Sequence, residues 1–122
     1  MTRVGKLAAT GIAVVLGLAL SGCGSDDTGG ATTETKTIVI TVSGDTITPN
    51  GDRIEVAAGQ PIELVVTADA PGEIHVHSTP EQEFEYVAGN DQKFDLTPID
   101  RPGIVDIESH TLEKTIVQLE VR

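Results

Sequence analysis

Short runs of alternating apolar and polar residues, separated by turn residues, occupy the sequence from residue 36 onward. Alternation gives an extended strand one buried face, as with Ile38, Ile40 and Val42. Clusters such as Ser43-Gly44-Asp45 end these runs, and no stretch has apolar spacing typical of a long helix. The pattern predicts an all-β sandwich of about seven to nine strands, at residues 37–42, 46–48, 53–56, 62–67, 73–79, 83–87, 93–96, 104–108 and 115–121.

Composition excludes several classes of function. The 122 residues allow for one small domain, and 19 acidic against 8 basic side chains give a net charge of −11. Nucleic-acid binding needs clustered basic residues and stacking aromatics, whereas this chain has only Phe84, Phe94 and Tyr86 as aromatics. The single cysteine, Cys23, excludes an intramolecular disulfide, a CxxC redox pair and a cysteine-rich zinc site.

The first 22 residues have the pattern of an export signal. Arg3 and Lys6 precede an uncharged apolar run at residues 7–20, which is short for a membrane span but typical of a signal peptide. The run ends in Leu20-Ser21-Gly22-Cys23, which resembles the lipobox of bacterial lipoproteins. An ordinary secretory signal followed by an incidental cysteine is the alternative.

The lipobox resemblance implies a division of the chain into three parts. Residues 1–22 would be a lipoprotein signal peptide, and residues 23–35 a lipidated Cys23 followed by a flexible Gly/Ser/Thr/Asp-rich linker. Residues 36–122 would be the folded domain. We therefore expect a palmitate-bearing lipoprotein, anchored to the cell membrane on its extracytoplasmic face.

Four segments of the domain, in their order, resemble the cupredoxins. They are residues 38–49, residues 54–64, the turn Ala70-Pro71-Gly72 before His75, and residues 101–110 with their Pro-Gly strand start. The resemblance covers about residues 37–121. It implies a cupredoxin-like Greek-key sandwich.

The cysteine and methionine ligands of a blue-copper site are missing from the positions that the cupredoxin resemblance implies for them. Such a site needs two imidazoles, a cysteine thiolate and usually an axial methionine. By the resemblance, the cysteine position falls on Ser109, and Leu112 lies near the methionine position. A serine hydroxyl does not replace a thiolate, so we expect no blue-copper electron carrier.

Three histidines remain as candidate metal ligands: His75, His77 and His110. His75 and His77 are two residues apart on one predicted strand, so their side chains point to the same side. The resemblance places His110 on a neighbouring strand, with all three imidazoles at one end of the sandwich. Three imidazoles suit Cu(II) or Zn(II), with Glu73, Asp106 or Glu108 as possible oxygen ligands.

Two functions stay open at this point. The first is a metal-handling lipoprotein that binds copper, or another transition metal, through its histidines. The second is a metal-free binding or accessory module that meets an envelope protein; Ile74 and Val76 would then be core residues and the imidazoles ordinary surface groups. Glu81, Glu83 and Glu85 form an acidic stripe, which is most simply the solvated face of an edge strand. We expect no enzyme, because the adjacent Ser109 and His110 point apart on a strand.

Overall fold

A computed structural model describes residues 34–122 of the chain. The predicted signal peptide, Cys23 and most of the predicted linker lie outside the described residues. The described part contains nine strands and no helix that is long and apolar enough to span a bilayer. The strands are β1 (Lys36–Ser43), β2 (Thr46–Thr48), β3 (Asp52–Val56), β4 (Ile62–Ala68), β5 (Gly72–Val76), β6 (Gln82–Tyr86), β7 (Gly89–Asp95), β8 (Gly103–Ser109) and β9 (Lys114–Val121).

The strands form two sheets. One has four strands in the order β2-β1-β4-β7, and the other has five in the order β3-β9-β8-β5-β6. The pairs β1–β4 and β3–β9 are parallel, and the remaining pairs are antiparallel. The predicted all-β sandwich is confirmed.

Alternation along the strands builds the core. In β4 every second side chain is buried, from Ile62 to Ala68, and β1 shows the same two-residue period. The buried set is almost entirely aliphatic, with Tyr86 as its one aromatic member and Phe84 and Phe94 packed at its margin. Since the core uses one face of each sheet, the other faces are free to carry polar side chains.

The strand bearing His75 is shorter than predicted. The sequence pattern predicts one strand over residues 73–79, whereas β5 ends at Val76. The backbone turns there because the Ser78 N–H donates to the Val76 carbonyl (2.8 Å) and the Ser78 hydroxyl to the Pro80 carbonyl (2.6 Å). This turn brings Glu81 back towards His77, which matters for the site below.

Candidate metal centre on the outer face of the five-stranded sheet

β5 is an inner strand of the five-stranded sheet, and His75 within it and His77 just after its end both point outward. Ile74 and Val76 are both 0 % exposed and face the core. Because side chains alternate along a strand, His75 and His77 point to the opposite face. The prediction that both imidazoles share one side of the strand is confirmed.

Strand register surrounds His75 with carboxylates. His75 pairs with Glu83 of β6 on one side and with Glu108 of β8 on the other. Glu81 comes from the short connection between β5 and β6 and lies next to both imidazoles. Neighbouring side chains on one sheet face are within reach of one another. The histidines therefore lie in an acidic setting made by three adjacent strands.

His75, His77 and Glu81 converge on one point. One ligand atom from each residue lies within 4.8 Å of the others. Glu81 Oε2 is 3.3 Å from His75 Nε2, and Glu81 Oε1 is 3.7 Å from His77 Nδ1. The two imidazole centroids are 4.4 Å apart. Among the described residues, this is the one group of three or more such side chains that meets this distance.

His75 Nε2 fits a metal ligand better than an ordinary surface group. The side chain is only 12 % exposed, and Nε2 is buried without a hydrogen-bond partner within the described part of the chain. Leaving a buried polar atom unpaired costs about 1–3 kcal/mol, so such an atom requires an explanation. A cation held between His75 and Glu81 would supply the missing partner.

His110 lies beside this group but has its own partner. Its ring centroid is 5.5 Å from that of His75, and its Nδ1 lies 2.9 Å from Glu73 Oε1. The backbone N–H of His110 also donates to the backbone carbonyl of Glu73 (3.0 Å), which places His110 opposite the first half of β5. The structure therefore brings together His75 and His77 of the three predicted ligands, and leaves His110 paired with Glu73.

All three imidazoles lie close together on the outer face of the five-stranded sheet. The His75 ring centroid is 4.4 Å from that of His77 and 5.5 Å from that of His110. His77 lies just beyond one end of β5 and His110 near the other. Ile74 and Val76 occupy the inward positions of β5, so the histidines lie on its outer side and not in the core.

The carboxylate nearest to both imidazoles is not one of the predicted oxygen ligands. The sequence pattern predicts Glu73, Asp106 or Glu108, whereas Glu81 is the carboxylate that lies beside both imidazoles. Glu73 and Glu108 contact His110 and His77 instead, and one oxygen of Asp106 is buried without a hydrogen-bond partner among the described residues. The sequence signal for this contact is the Ser78–Pro80 segment. A tight turn there reverses the chain after β5 and places Glu81 beside the histidines.

The acidic stripe is the solvated face of an edge strand, as predicted. β6 ends its sheet, and Glu81, Glu83 and Glu85 are all exposed. Glu83 lies farther from the site than Glu81, with its Oε1 3.9 Å from His75 Nε2. Only the first carboxylate of the stripe therefore reaches both imidazoles.

Glu108 interacts with the second nitrogen of His77. Glu108 Oε2 lies 3.0 Å from His77 Nε2, and its Oε1 accepts a hydrogen bond from the Thr115 hydroxyl (3.2 Å). The hydrogen bond with His77 is the main reason that the pKa of Glu108 is lowered from its usual value; burial opposes this shift, and the Thr115 hydroxyl adds to it. Glu108 is therefore ionised near neutral pH.

The predicted cysteine position lies on the other side of the sheet. Ser109 is 1 % exposed, pairs with Ile74 and faces the core, where its hydroxyl accepts the Leu112 N–H (3.1 Å). The described residues contain neither cysteine nor methionine. Ser109 and the outward histidines are thus separated by the sheet itself.

Comparison with known proteins places the fold. No family model and no curated protein matches this sequence. Among solved structures, a chain of a heme-copper terminal oxidase dimer matches with a TM-score of 0.52 and 13% identity, over 71% of this chain and 65% of that one. A Cu(I) form of an amicyanin mutant matches with a TM-score of 0.50 and 14% identity, over 70% and 82% of the two chains.

A purple cupredoxin from Nitrosopumilus maritimus has a TM-score of 0.49 and 13% identity, with 71% of this chain and 99% of that chain covered. At such identities the likeness concerns the fold alone. Together with the nine strands in two mixed sheets, the match to amicyanin with a TM-score of 0.50 shows that the described domain has a cupredoxin-like fold.

Proposed function

We propose that this domain binds one divalent transition-metal ion, Cu(II) or Zn(II), through His75, His77 and Glu81. The observation that carries the proposal is the convergence of one ligand atom from each of these residues, together with a buried His75 Nε2 that makes no hydrogen bond among the described residues. Two imidazoles and a carboxylate are ligands that both ions accept.

The donor set supports metal handling over electron transfer. A blue-copper site depends on a thiolate, and Ser109, at the position predicted for it, faces the core instead of the histidines. Three protein ligands leave coordination positions free, and Glu81 is 62 % exposed, so the ion would be open to solvent and to exchange. Uptake, delivery or buffering of copper suits such a site, and no catalytic step is part of the proposal.

The proposal includes a position in the cell. The lipobox-like Leu20-Ser21-Gly22-Cys23 supports cleavage before Cys23 and lipidation of its thiol. Two acyl chains give stable attachment, so the domain would present its metal site at the extracytoplasmic face of the cell membrane. The ion, the membrane and an envelope protein that exchanges the ion are the partners in this scheme.

Metal titration of single variants tests the ligand set. We expect the full chain, purified in detergent, to bind about one equivalent of Cu(II) or Zn(II). His75→Ala, His77→Ala and Glu81→Ala should each weaken binding at least about tenfold, since even outer partners of metal ligands are worth 10–100-fold in affinity. Glu85→Ala is the matched control, because Glu85 shares the exposed face of β6 but is outside the ligand group.

Two results would reject parts of this proposal. A variant with all three ligands changed to alanine that binds as tightly as the native chain would remove the metal function and favour the metal-free binding module. A loss with His110→Ala as large as with His77→Ala would show that His110 is a ligand, as the sequence analysis expected.

A further inference from the structure

The two ring nitrogens of His77 face two different carboxylates. Nε2 lies 3.0 Å from Glu108 Oε2, and Nδ1 lies 3.7 Å from Glu81 Oε1. The first distance is that of a hydrogen bond and the second is longer. The two ring nitrogens of His77 therefore make different interactions.

Hydrogen-bond chemistry decides which nitrogen carries the proton of the neutral ring. An ionised carboxylate can only accept, so a hydrogen bond between Glu108 and Nε2 needs the hydrogen on Nε2. Nδ1 then has a free lone pair, directed to the side where Glu81 and His75 lie. A metal ion needs that lone pair.

Glu108 is itself held in place by the neighbouring strand. Its Oε1 accepts the Thr115 hydroxyl at 3.2 Å, and Glu108 and Thr115 are register partners between β8 and β9. Both carboxylate oxygens are thus engaged, one by β9 and one by His77. β8 lies inside its sheet between β9 and β5, so the strand that carries Glu108 is hydrogen-bonded to a neighbour on each side.

We infer that Glu108, oriented by Thr115, is a positioning residue that fixes His77 in its Nε2–H form and so presents Nδ1 to the metal. The inference rests on the proposed metal site and adds the ligand nitrogen and its supporting partners. The arrangement is that of a carboxylate–histidine–metal series, in which the outer carboxylate sets the tautomer and the ring orientation.

Glu83 provides the matched comparison. It is an acidic strand residue on the same sheet face, with an oxygen 3.9 Å from His75 Nε2, too far for a hydrogen bond. Removing the Glu83 carboxylate changes the charge of this face as much as removing that of Glu108, yet it breaks no hydrogen bond to an imidazole. A difference between the two variants therefore reports on positioning and not on charge.

The first measurement needs no metal. Long-range proton–nitrogen NMR of the full chain in detergent, near neutral pH, should show the His77 hydrogen on Nε2, as a signal protected from exchange with water. Glu108→Ala should abolish that protection and Thr115→Val should reduce it, whereas Glu83→Ala should leave it unchanged. A His77 hydrogen on Nδ1 in the native chain would overturn the inference.

The second measurement adds Zn(II), which is diamagnetic, to the same samples. We expect the His77 Nδ1 resonance to shift on binding, and Glu108→Ala to weaken Zn(II) binding about 10–100-fold. Binding of Zn(II) at Nε2, or equal affinity in Glu108→Ala and Glu83→Ala, would overturn the inference and leave the proposed metal function standing. A protected Nε2–H with no Zn(II) binding would remove the metal function and keep the role of Glu108 in fixing the ring.

Discussion

Tyr86 is the single tyrosine of the chain, and it lies among the buried residues of the core. The residue is 3 % exposed, and its ring lies so close to Gly72 that a side chain at residue 72 would collide with it. Burial is the main reason that the pKa of Tyr86 is raised from its usual value; a hydrogen bond with Ser109 opposes the shift, and the negative charge of Asp69 adds to it. The neutral phenol is thus part of the folded core.

Alkaline titration should show this raised pKa directly. A group whose pKa is higher in the folded state stabilises that state below its unfolded pKa, near 10 for tyrosine, and the contribution is lost as the pH rises through the folded value. We expect tyrosinate absorbance to appear above pH 10 and to accompany loss of the β-type circular dichroism. The same chain in concentrated urea should titrate near pH 10. Titration of the native chain near pH 10 with its dichroism intact would contradict the buried phenol.

At the scale of the element, consecutive residues of β5 and β8 lie on opposite faces of the sheet and make different kinds of contact. Ile74 pairs with Ser109 on the core side, and His75 pairs with Glu108 on the outer side. Because the side-chain period of a strand is two, a shift of one residue moves a group to the other face of the sheet. Whether a side chain of a ligand-forming type can reach the site therefore depends on its odd or even position along the strand.

Cysteine substitutions on the two faces of the sheet test this separation. In a Cys23→Ser background, Glu83→Cys places a thiol opposite His75 on the outer face, and we expect Cu(II) to give a strong thiolate-to-copper absorption band. Ser109→Cys places the thiol in the core, on the other side of the sheet, so Cu(II) should give no such band. A strong band with Ser109→Cys and none with Glu83→Cys would show that the histidines face inward.

At the scale of the whole molecule, one sheet face carries the site and the chain before β1 carries the proposed anchor. Lys36 begins β1, and only about a dozen residues separate it from Cys23. A linker of this length reaches on the order of 20 Å when flexible. A lipidated Cys23 would therefore keep the domain close to the membrane surface.

Labelling with palmitate tests the anchor. The native chain should incorporate the label, lose residues 1–22 and fractionate with membranes, because the Cys23 thiol would carry the acyl groups. Cys23→Ser should incorporate no label, whereas Ser25→Ala, which leaves the lipobox-like residues intact, should behave as the native chain. Label in the Cys23→Ser protein, or a native mass that still includes residues 1–22, would disprove lipidation at this cysteine.

The sequence by itself determined the features that depend on local periodicity and residue type. Alternation predicted about seven to nine strands, most of them close to those observed, together with the outward placement of His75 and His77 and the aliphatic core. The single Cys23 excluded a cysteine-rich site by composition alone. These inferences hold because a two-residue period and the chemistry of a side chain are both readable within a few residues.

Only the tertiary structure decided which groups meet. The order β3-β9-β8-β5-β6 sets Glu108 beside His77, and the turn at Ser78 returns Glu81 to both imidazoles. The tertiary structure also pairs His110 with Glu73, a contact that no local pattern predicts. Strand order and register come from packing between residues far apart in the chain, and a site built across three strands depends on that packing more than on any local pattern.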